Sequence, residues 1–462
     1  MKNIWILTEE RPKNEVLEVI LRKFCSDQNF ASFIDNLRII PLIEKGKFSF
    51  CYELKGFDCN KVNKIFIKTI SGNSSFADFV IFYQDKEPDP SDCPMYVIEE
   101  TKTSGEESRN TGIYQRCAKF VFAEQYYPKV KKIMLYNIKT NQKLKSAETI
   151  IFGTRLLLAM GVEILGKNLD PKIFQPFKSI DEIILYKSNM RKPPKGNIPI
   201  GITKIGREEI QISGRLFKSG GLSHDPNIGA LSLISSVLRK LGWKKAIIIT
   251  NHGLEQKHIG KNNKFLQIAN ELKLTLLGLS IPSTLRNKDY WRYDYKGEKL
   301  ATIFIHIVVE SFTRGESIFE NHAGCEKGYF ITSNGENIPL KKYKDREKYK
   351  LGDKSQNVEI PDLILLDIPR NTIINIEGKK LKNLNQGLKE LELYDFIEKE
   401  YIKKYYTDYK IVRTLVLYGG KEEEIHEIKV GFLLNEDGYL ALGIQAPELF
   451  KDAIKNLLDY WK

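Results

Sequence analysis

The sequence has few of the residues that hold small secreted or zinc-dependent domains together. Its six cysteines form no Cys-x-x-Cys pair, so neither a zinc ribbon nor a disulfide framework is predicted. The six histidines form no His-Asn-His pattern and no other His-ligated metal pattern. A reducing compartment fits this cysteine usage best.

Long hydrophobic runs are also missing. The N-terminal segment MKNIWILTEERPK lacks the apolar core of a signal peptide. No stretch reaches the roughly 18 uncharged residues that a membrane span needs, and Arg155 interrupts the most apolar one, TIIFGTRLLLAMG. We therefore expect a cytoplasmic protein with no membrane partner.

Positive charge is in excess and is spread along the chain. The 462 residues are 42% hydrophobic, which is enough for two or three domains with their own cores. The net charge is +13, and no single basic tail carries it. Such a distribution favours an extended polyanion as partner, although a solvated lysine-rich surface would have the same composition.

Apolar periodicity predicts both helices and strands along the chain. A stretch rich in Pro, Gly and Lys near residue 190 marks a boundary, so we predict domains at 1–190, 200–350 and 351–462. The middle region is the least regular. In it, KKAIIIT and ATIFIHIVV are interpreted as buried strands, with His306 as a core histidine.

The segment IPDLILLDIPRNTIINIEGKK, residues 360–380, predicts a hairpin with charged ends. Two apolar strands flank the turn IPRN. Folding about the middle of this turn places Asp362 opposite Glu377, with Cβ atoms about 5 Å apart. Lys379 projects to the same side as Glu377, because strand side chains alternate between the two faces.

Glu-x-Lys alone is weak evidence in a lysine-rich chain. We therefore require an upstream acid that faces the Glu across a hairpin. Glu271 lies in a helical pattern, and the position opposite Glu427 is not acidic. The Glu-x-Lys matches that we weigh in this way are at Glu53, Glu100, Glu271, Glu377 and Glu427.

A second hairpin meets the requirement. The strand-like runs FADFVIFY and MYVIEETK flank a turn-rich loop centred on Asp89, which places Asp78 opposite Glu100, with Lys102 two residues further. A third pairing, Asp35 with Glu53, is interpreted as a decoy. Asp35 reads as the end of a helix, and the strand around Glu53 alternates like a half-exposed one.

Burial distinguishes the two hairpins from ordinary surface acids. MYVIEETK and IINIEGK are apolar on both faces until the Glu, which is typical of central strands. An unpaired charge there would cost several kcal/mol. Two acids and a lysine therefore indicate a site that neutralises them, and carboxylate oxygens suit Mg²⁺. The alternative at each hairpin is an Asp–Lys–Glu salt-bridge network.

These residues resemble the PD-(D/E)xK nuclease superfamily, and the whole chain is most similar to a type II restriction endonuclease. Pro361, Asp362, Glu377 and Lys379 match the family motif, and the other hairpin has Ala77 where the family has proline. The resemblance implies two restriction-endonuclease-like α/β cores, each a mixed sheet flanked by helices. Between them it implies an α+β region that recognises DNA.

The resemblance also implies roles for the motif residues. The acids would bind Mg²⁺, and each lysine would orient or help to deprotonate the attacking water, which supplies a nucleophile and stabilises the transition state. Glu15 or Glu18 on the first helix is a further candidate metal ligand. The catalytic candidates are Asp78, Glu100 and Lys102 at one hairpin, and Asp362, Glu377 and Lys379 at the other.

Candidates for DNA contacts lie on one helix and in one loop. Gln115 and Lys119 are four residues apart on a helix face, and Arg109 or Arg116 would bind phosphate; a solvated helix face is the alternative. Asn251 and His252 follow a predicted buried strand, where a lone histidine is more often structural. The loop candidates, around a glycine pair, are Arg215, Lys218 and His224.

The resemblance thus predicts a Mg²⁺-dependent restriction endonuclease acting on double-stranded DNA. The presence of two such constellations leads to a sharper hypothesis, in which each centre cuts one strand. It also implies a cognate DNA methyltransferase and a monomeric or homodimeric enzyme. Three alternatives stay open: a single active centre in a homodimer, a repair or recombination nuclease, and a catalytically silent DNA-binding protein.

Overall fold

The structure is a computed structural model in which mixed sheets are flanked by helices, so the predicted α/β class is confirmed. In the described residues, no helix is both long and apolar enough to cross a membrane. The structure describes residues 1–71, 77–101, 112–136, 148–166, 172–190, 200–218, 221–222, 225–260, 263–284, 289–322, 329–421 and 431–462.

The strands range from two to 13 residues, and most are joined by turns or by single helices. In chain order they are β1 (Lys2–Thr8), β2 (Ser32–Glu44), β3 (Lys47–Cys59), β4 (Val62–Ser71), β5 (Phe79–Gln84), β6 (Tyr96–Thr101), β7 (Lys131–Tyr136), β8 (Val162–Gly166), β9 (Gly201–Ile205), β10 (Glu209–Ser213), β11 (Phe217–Lys218), β12 (Gly221–Leu222), β13 (Ala246–Thr250), β14 (Leu274–Leu276), β15 (Arg292–Tyr293), β16 (Glu316–Glu320), β17 (Tyr329–Ile331), β18 (Asn337–Pro339), β19 (Leu363–Asp367), β20 (Thr372–Lys380), β21 (Lys410–Tyr418), β22 (Phe432–Leu434) and β23 (Leu440–Leu442).

The helices range from single turns to four turns. A π-helical segment, Glu398–Ile402, and 3₁₀ turns join three of them into one helical stretch near residue 400. In chain order the helices are α1 (Asn14–Gln28), α2 (Gly112–Tyr126), α3 (Glu148–Ala159), α4 (Ile180–Asn189), α5 (Asp225–Lys240), α6 (Gln256–Ile259), α7 (Asn263–Glu271), α8 (Lys299–Phe312), α9 (Arg346–Lys350), α10 (Leu384–Leu391), α11 (Asp395–Ile397), α12 (Lys403–Tyr405) and α13 (Glu448–Tyr460).

The chain forms two compact units whose limits differ from the predicted domains 1–190, 200–350 and 351–462. Early strands fold with the C-terminal part of the chain because β2 hydrogen-bonds to the end of α8. Arg38 donates to the Ser311 carbonyl at 2.7 Å, and the Ser311 hydroxyl donates to the Ile39 carbonyl at 2.8 Å. Unit 1 contains Met1–Asn3, Thr8–Ser71 and Tyr293–Lys462, and unit 2 contains Ile4–Leu7 and Gly72–Arg292.

Unit 2 contains a mixed sheet in the order β1-β5-β6-β7-β8. Strands β5 and β6 form an antiparallel hairpin, and α2 then crosses over to β7, which is parallel to β6. Helix α3 leads in the same way to the parallel strand β8. A separate sheet of unit 2 has the order β14-β13-β10-β9.

Unit 1 contains a mixed sheet in the order β16-β19-β20-β21-β22-β23. Its hairpin β19–β20 pairs Leu363 with Ile376 and Asp367 with Thr372, which confirms the predicted hairpin and its register. At the turn, Asn371 has a φ of 45°, a left-handed conformation that Asn tolerates better than most residues. Helices α10, α11 and α12 lead to β21, which is parallel to β20.

The same local order therefore occurs in both units: an antiparallel hairpin, a helical crossover and a parallel strand. In each, the second hairpin strand has neighbours on both edges and is almost wholly buried. Strands buried on both faces are apolar throughout, and polar groups are tolerated at their ends. The candidate acids Glu100 and Glu377 lie in the C-terminal halves of these strands.

The apolar run at 301–309 differs from its predicted type. ATIFIHIVV lies in the helix α8 and is not a strand. Every side chain of 300–309 is buried, so the helix is apolar all round and shows no polar face. A continuous apolar run rich in Ile and Val does not distinguish a buried helix from a buried strand by periodicity. His306, in its middle, is fully buried.

Candidate active site

Five side chains meet at the open end of the hairpin in unit 1. One step beyond the Leu363–Ile376 pair, the register places Asp362 opposite Glu377, as predicted. The Asp362 carboxylate accepts a hydrogen bond of 2.9 Å from the backbone N–H of Gly378. We call Asp362, Glu377, Lys379, Glu390 and Tyr394 the Asp362 cluster.

The Asp362 cluster is held by short polar contacts in a largely buried setting. The Lys379 ammonium contacts Glu377 and lies 2.7 Å from the Glu390 carboxylate. The Tyr394 hydroxyl donates to the other oxygen of Glu377. Exposed fractions of 7% for the Glu377 side chain and 13% for that of Lys379 show that this is no ordinary surface ion pair. Gln386 donates to Glu390 at 2.7 Å and holds it in place.

Burial raises the pKa of both Asp362 and Glu377. The Gly378 N–H and the Lys379 charge oppose this effect at Asp362, whereas the charge of Asp362 adds to it at Glu377. Burial alone would lower the pKa of Lys379, but Glu377 and Glu390 hold it above its usual value, so the ammonium stays charged. Three carboxylates thus share one cation. A divalent cation with oxygen ligands, such as Mg²⁺, would supply the missing charge.

The hairpin in unit 2 brings a different acid opposite Asp78 from the one predicted. The β5–β6 register pairs Phe79 with Ile98, so the next step places Asp78 opposite Glu99, and not opposite Glu100. The predicted register was wrong by one residue. A shift of one residue moves every side chain of a strand to the other face. We call Asp78, Glu99, Arg116 and Lys119 the Asp78 cluster.

Backbone contacts of the two aspartates correspond. The Glu100 N–H donates to the Asp78 carboxylate at 2.7 Å, as the Gly378 N–H does to Asp362. Glu100 therefore holds Asp78 through its backbone N–H, and its charge contributes to raising the pKa of Arg116. Thr101 occupies the position that Lys379 has in unit 1, and the predicted Lys102 lies outside the described residues.

Helix α2 supplies the cations of the Asp78 cluster. The Arg116 guanidinium lies 3.0 Å from Asp78 and 3.0 Å from Glu99, and the Lys119 ammonium lies 2.7 Å from Glu99 and 3.4 Å from Asp78. Both cations were predicted to contact DNA, but the structure places them against these acids. Arg109 and the Gln115 side chain lie outside the described part. Two acids face two cations, so this cluster is balanced in charge.

Glu99 is the group of the Asp78 cluster that titrates near neutral pH. Its side chain has no exposed surface, and burial, followed by the charge of Asp78, raises its pKa to about 7. Burial would also raise the pKa of Asp78, but Lys119, Arg116 and the Glu100 N–H together hold it below its usual value. The pair therefore holds one proton below pH 7 and loses it above.

Binding of Mg²⁺ by the Asp78 cluster is expected to weaken about tenfold for each pH unit below 7. The pKa of Glu99 is raised, so its proton is bound below about pH 7 and must leave before a metal ion binds. Calorimetric Mg²⁺ titrations of the Asp362→Asn variant, in which the Asp362 cluster lacks one of its two proposed metal ligands, would measure this slope. In the double variant Asp362→Asn/Glu99→Gln, this dependence on pH should disappear. A Mg²⁺ affinity that does not change with pH in Asp362→Asn alone would contradict the prediction.

Gly378 is a close-packed point of the Asp362 cluster. A Cβ atom there would lie 2.6 Å from the Thr302 methyl carbon and 3.1 Å from the Asp362 carboxylate. We expect Gly378→Ala to lower the free energy of unfolding by about 1–3 kcal/mol, as overpacking does. Thr302→Ser removes the clashing methyl, so the double variant should recover most of the loss in chemical denaturation. Equal stabilities of the single and double variants would contradict this packing.

The pairing interpreted as a decoy does not occur. Asp35 lies in β2, where a helix end was predicted, and Glu53 of β3 faces Ile40 of β2. Glu53 instead forms ion pairs of 2.6 Å with Lys55 and 3.7 Å with Lys64. These contacts are a local salt-bridge network.

The two candidates on the first helix are surface acids. Glu15 is exposed, and Glu18 pairs with Arg22 at 2.7 Å one turn later on α1. An acid at the start of a different helix acts on the Asp362 cluster. It is Glu298, which lies just before α8, and its charge raises the pKa of Asp362. Sequence reasoning missed Glu298, Glu390, Tyr394 and Glu99. Only Glu390 had a signal, its spacing of four from Gln386 on α10.

The predicted DNA-reading loops lie side by side in unit 2. Backbone N–H groups of Gly214 and Leu216 donate to the carbonyls of Thr250 and His252, at 3.1 and 2.9 Å. The side chain of Arg215, between these contacts, is exposed. The Lys218 side chain and His224 lie outside the described residues.

The residues after β13 are structurally fixed. Asn251 has a φ of 52° and donates to the Ser213 hydroxyl at 2.8 Å. His252 is buried, with Nε2 3.0 Å from the Leu277 carbonyl and Nδ1 accepting from the Leu254 N–H at 3.0 Å. Both ring nitrogens are thus used within the fold, which is the arrangement of a structural histidine.

Comparison with known proteins found no matching family model, curated protein or solved structure.

Proposed function

We propose that this protein is a Mg²⁺-dependent restriction endonuclease that hydrolyses phosphodiester bonds at a specific double-stranded DNA sequence. The observation that most supports the proposal is the Asp362 cluster. In it, two acids of raised pKa face each other across a buried hairpin and share one charged lysine. A salt bridge that served only stability would not need a surplus of buried carboxylates.

The cluster has the groups that phosphodiester hydrolysis needs. Asp362 and Glu377 would hold Mg²⁺, which neutralises charge on the phosphate and lowers the pKa of a bound water. The oxygen of a water molecule attacks phosphorus, the bond to a deoxyribose oxygen breaks, and the proton of the water passes to solvent. Lys379 keeps its proton, so it would orient the water and stabilise negative charge, and would not act as the base.

The Asp78 cluster would form a second centre that cuts the other strand. Asp78 and Glu99 take the places of Asp362 and Glu377, because the same backbone hydrogen bond fixes both aspartates. Lys119, from helix α2, takes the part of Lys379. The proposed metal ligand of this centre is therefore Glu99, and Glu100 is replaced in that role.

A single active centre is the alternative that one observation favours. The two acids of the Asp78 cluster are already neutralised by Arg116 and Lys119, whereas those of the Asp362 cluster are not. If the Asp78 cluster is only structural, cutting of both strands requires a homodimer.

The proposed partner is double-stranded DNA in the cytoplasm, attracted by the net charge of +13 and read in part by the exposed Arg215. A restriction enzyme also needs a cognate DNA methyltransferase that protects the host sequence. Repair or recombination nucleases share the chemistry but prefer damaged or branched DNA, which a panel of such substrates would reveal.

The direct test is incubation with mixed-sequence plasmids and Mg²⁺, followed by sequencing of the ends. If the protein is a restriction enzyme, the ends should lie at one recurring sequence. The double variant Asp78→Asn/Asp362→Asn should abolish this cleavage, and so should a chelator. Intact plasmids under many conditions, with DNA binding retained, would instead identify a catalytically silent DNA-binding protein.

A further inference from the structure

Two histidines and a glutamate meet in unit 1 apart from both acidic clusters. His306 lies on α8, Glu320 ends β16, and His322 follows two residues later. All three residues are buried, and one ligand atom of each lies within 4.8 Å of the others. We propose that His306, Glu320 and His322 bind a divalent transition-metal ion of the zinc class.

The distances suit one small ion. His306 Nδ1 lies 2.8 Å from His322 Nε2 and 3.8 Å from a Glu320 carboxylate oxygen. Ligand atoms of a tetrahedral zinc site are about 3.3 Å apart, given metal–ligand bonds of roughly 2.0–2.1 Å. The two distances bracket this value, and all three ligand atoms lie within 4.8 Å of one another, so small side-chain rotations would bring them to ligating positions.

Surrounding residues orient the ligands as they do in metal sites. His306 Nε2 lies 3.1 Å from the Glu310 carboxylate. A hydrogen bond to this carboxylate places the ring proton on Nε2, so Nδ1 is the nitrogen that would bind the ion. Glu310 is itself held by Arg11 and, at 2.7 Å, by the Ser317 hydroxyl. Such a chain of carboxylate, histidine and metal fixes the tautomer and raises the basicity of the ligand.

The ligand types select the ion. Imidazole nitrogens suit zinc, cobalt, nickel and copper, whereas Mg²⁺ and Ca²⁺ require oxygen ligands. Arg11 and Lys13 contact Glu310 and Glu320, so two cations already balance the two acids. The charge of the ion then favours an anionic fourth ligand, such as hydroxide.

The site would fix the strand beside the Asp362 cluster. The backbone N–H of Asn321, between two of the ligands, donates to the Asp362 carbonyl at 2.7 Å. Glu320 also pairs with Leu363 across β16 and β19. The ion would tie α8 to this strand and thereby act as a structural, positioning element. Binding of the ion does not rest on the proposed nuclease function.

Spectroscopic titration with Co²⁺ tests the site directly. The full chain is stripped with a chelator and titrated with Co²⁺ in excess Mg²⁺, which occupies carboxylate sites. We expect one equivalent to produce visible absorption typical of tetrahedral coordination, and Zn²⁺ to remove it. His306→Gln and His322→Gln should lose this signal, whereas the control His258→Gln, at a buried histidine of unit 2, should keep it.

A variant that keeps all three ligands shows whether a lost signal results from misfolding. Glu310→Gln leaves all three ligands in place but weakens the orientation of His306, so we expect it to reduce Co²⁺ affinity by about 10–100-fold. Absence of the signal in the folded wild-type protein would overturn the proposal, and so would equal affinities of Glu310→Gln and wild type. The nuclease proposal is tested separately by plasmid cleavage, so either can fail alone.

Discussion

Asp362→Asn is expected to convert double-strand cleavage of a plasmid into nicking. Asparagine keeps the size of the side chain and still accepts the hydrogen bond from the Gly378 N–H. It loses the negative charge with which Asp362 would bind Mg²⁺. A loss of about 4 kcal/mol of transition-state stabilisation slows hydrolysis at this centre roughly 1000-fold.

Supercoiled plasmid separates the possible outcomes, because nicked and linear forms differ in mobility. Asp362→Asn and Asp78→Asn should each accumulate nicked circles, with the nicks on opposite strands. The matched control is Asp367→Asn at the other end of the same hairpin. Asp367 is also buried but pairs with Arg370 at 3.0 Å, and this variant should linearise the plasmid as wild type does.

Two results would contradict the proposal that each of the two clusters cuts one DNA strand. Full linearisation by Asp362→Asn would exclude the Asp362 cluster as an active site. Complete loss of cleavage, without nicks, would indicate that the Asp362 cluster is the single centre and that two copies of the chain cut the two strands.

The hairpin of unit 1 was predictable because its turn is short and sharply marked. The turn IPRN is short and lies between two largely apolar strands, so the centre is defined and Asp362 must face Glu377. The loop in unit 2 is longer and has several turn residues, so its centre is defined only to within one residue. That residue decides whether Glu99 or Glu100 faces Asp78.

The remaining site residues depend on tertiary packing. Glu298, Glu390 and Tyr394 approach Asp362 and Glu377 from a loop and from helical segments whose positions are set by the core. The spacing of four between Gln386 and Glu390 is the one local pattern among them, and it does not show that Glu390 faces the hairpin. The role of Lys119 was likewise not predictable from the local sequence. A basic helix position looks alike in sequence whether it faces DNA or the acids of its own sheet, and here it contacts Glu99.

Helix α8 illustrates a limit of periodicity. A helix that is buried on every side has no polar face, so its sequence lacks the 3.6-residue pattern that would reveal it. The consequence extends to function, because the strand prediction placed His306 in a sheet core. In the helix, His306 lies beside His322, and Thr302 lies beside Gly378.

The second large effect concerns which of two adjacent acids, Glu99 or Glu100, binds the metal ion of the Asp78 cluster. We expect Glu99→Gln to slow cleavage at the Asp78 cluster about 1000-fold, because it removes a proposed metal ligand that is fully buried. Glu100→Gln should stay within a few fold of wild type, because Glu100 serves Asp78 through its backbone N–H, which glutamine retains. The two variants make the same chemical change at adjacent positions, so each is the control of the other.

Nicking by the Asp362→Asn variant provides the background for this comparison, since only the Asp78 cluster can then cut. Thermal unfolding of each variant should accompany the rates, because Glu99→Gln leaves Lys119 and Arg116 with one acid fewer. If Glu100→Gln abolished nicking in folded protein and Glu99→Gln did not, the ligand would be Glu100, and the β5–β6 register during catalysis would differ by one residue. The reverse result would assign the metal-binding face of this strand to Glu99.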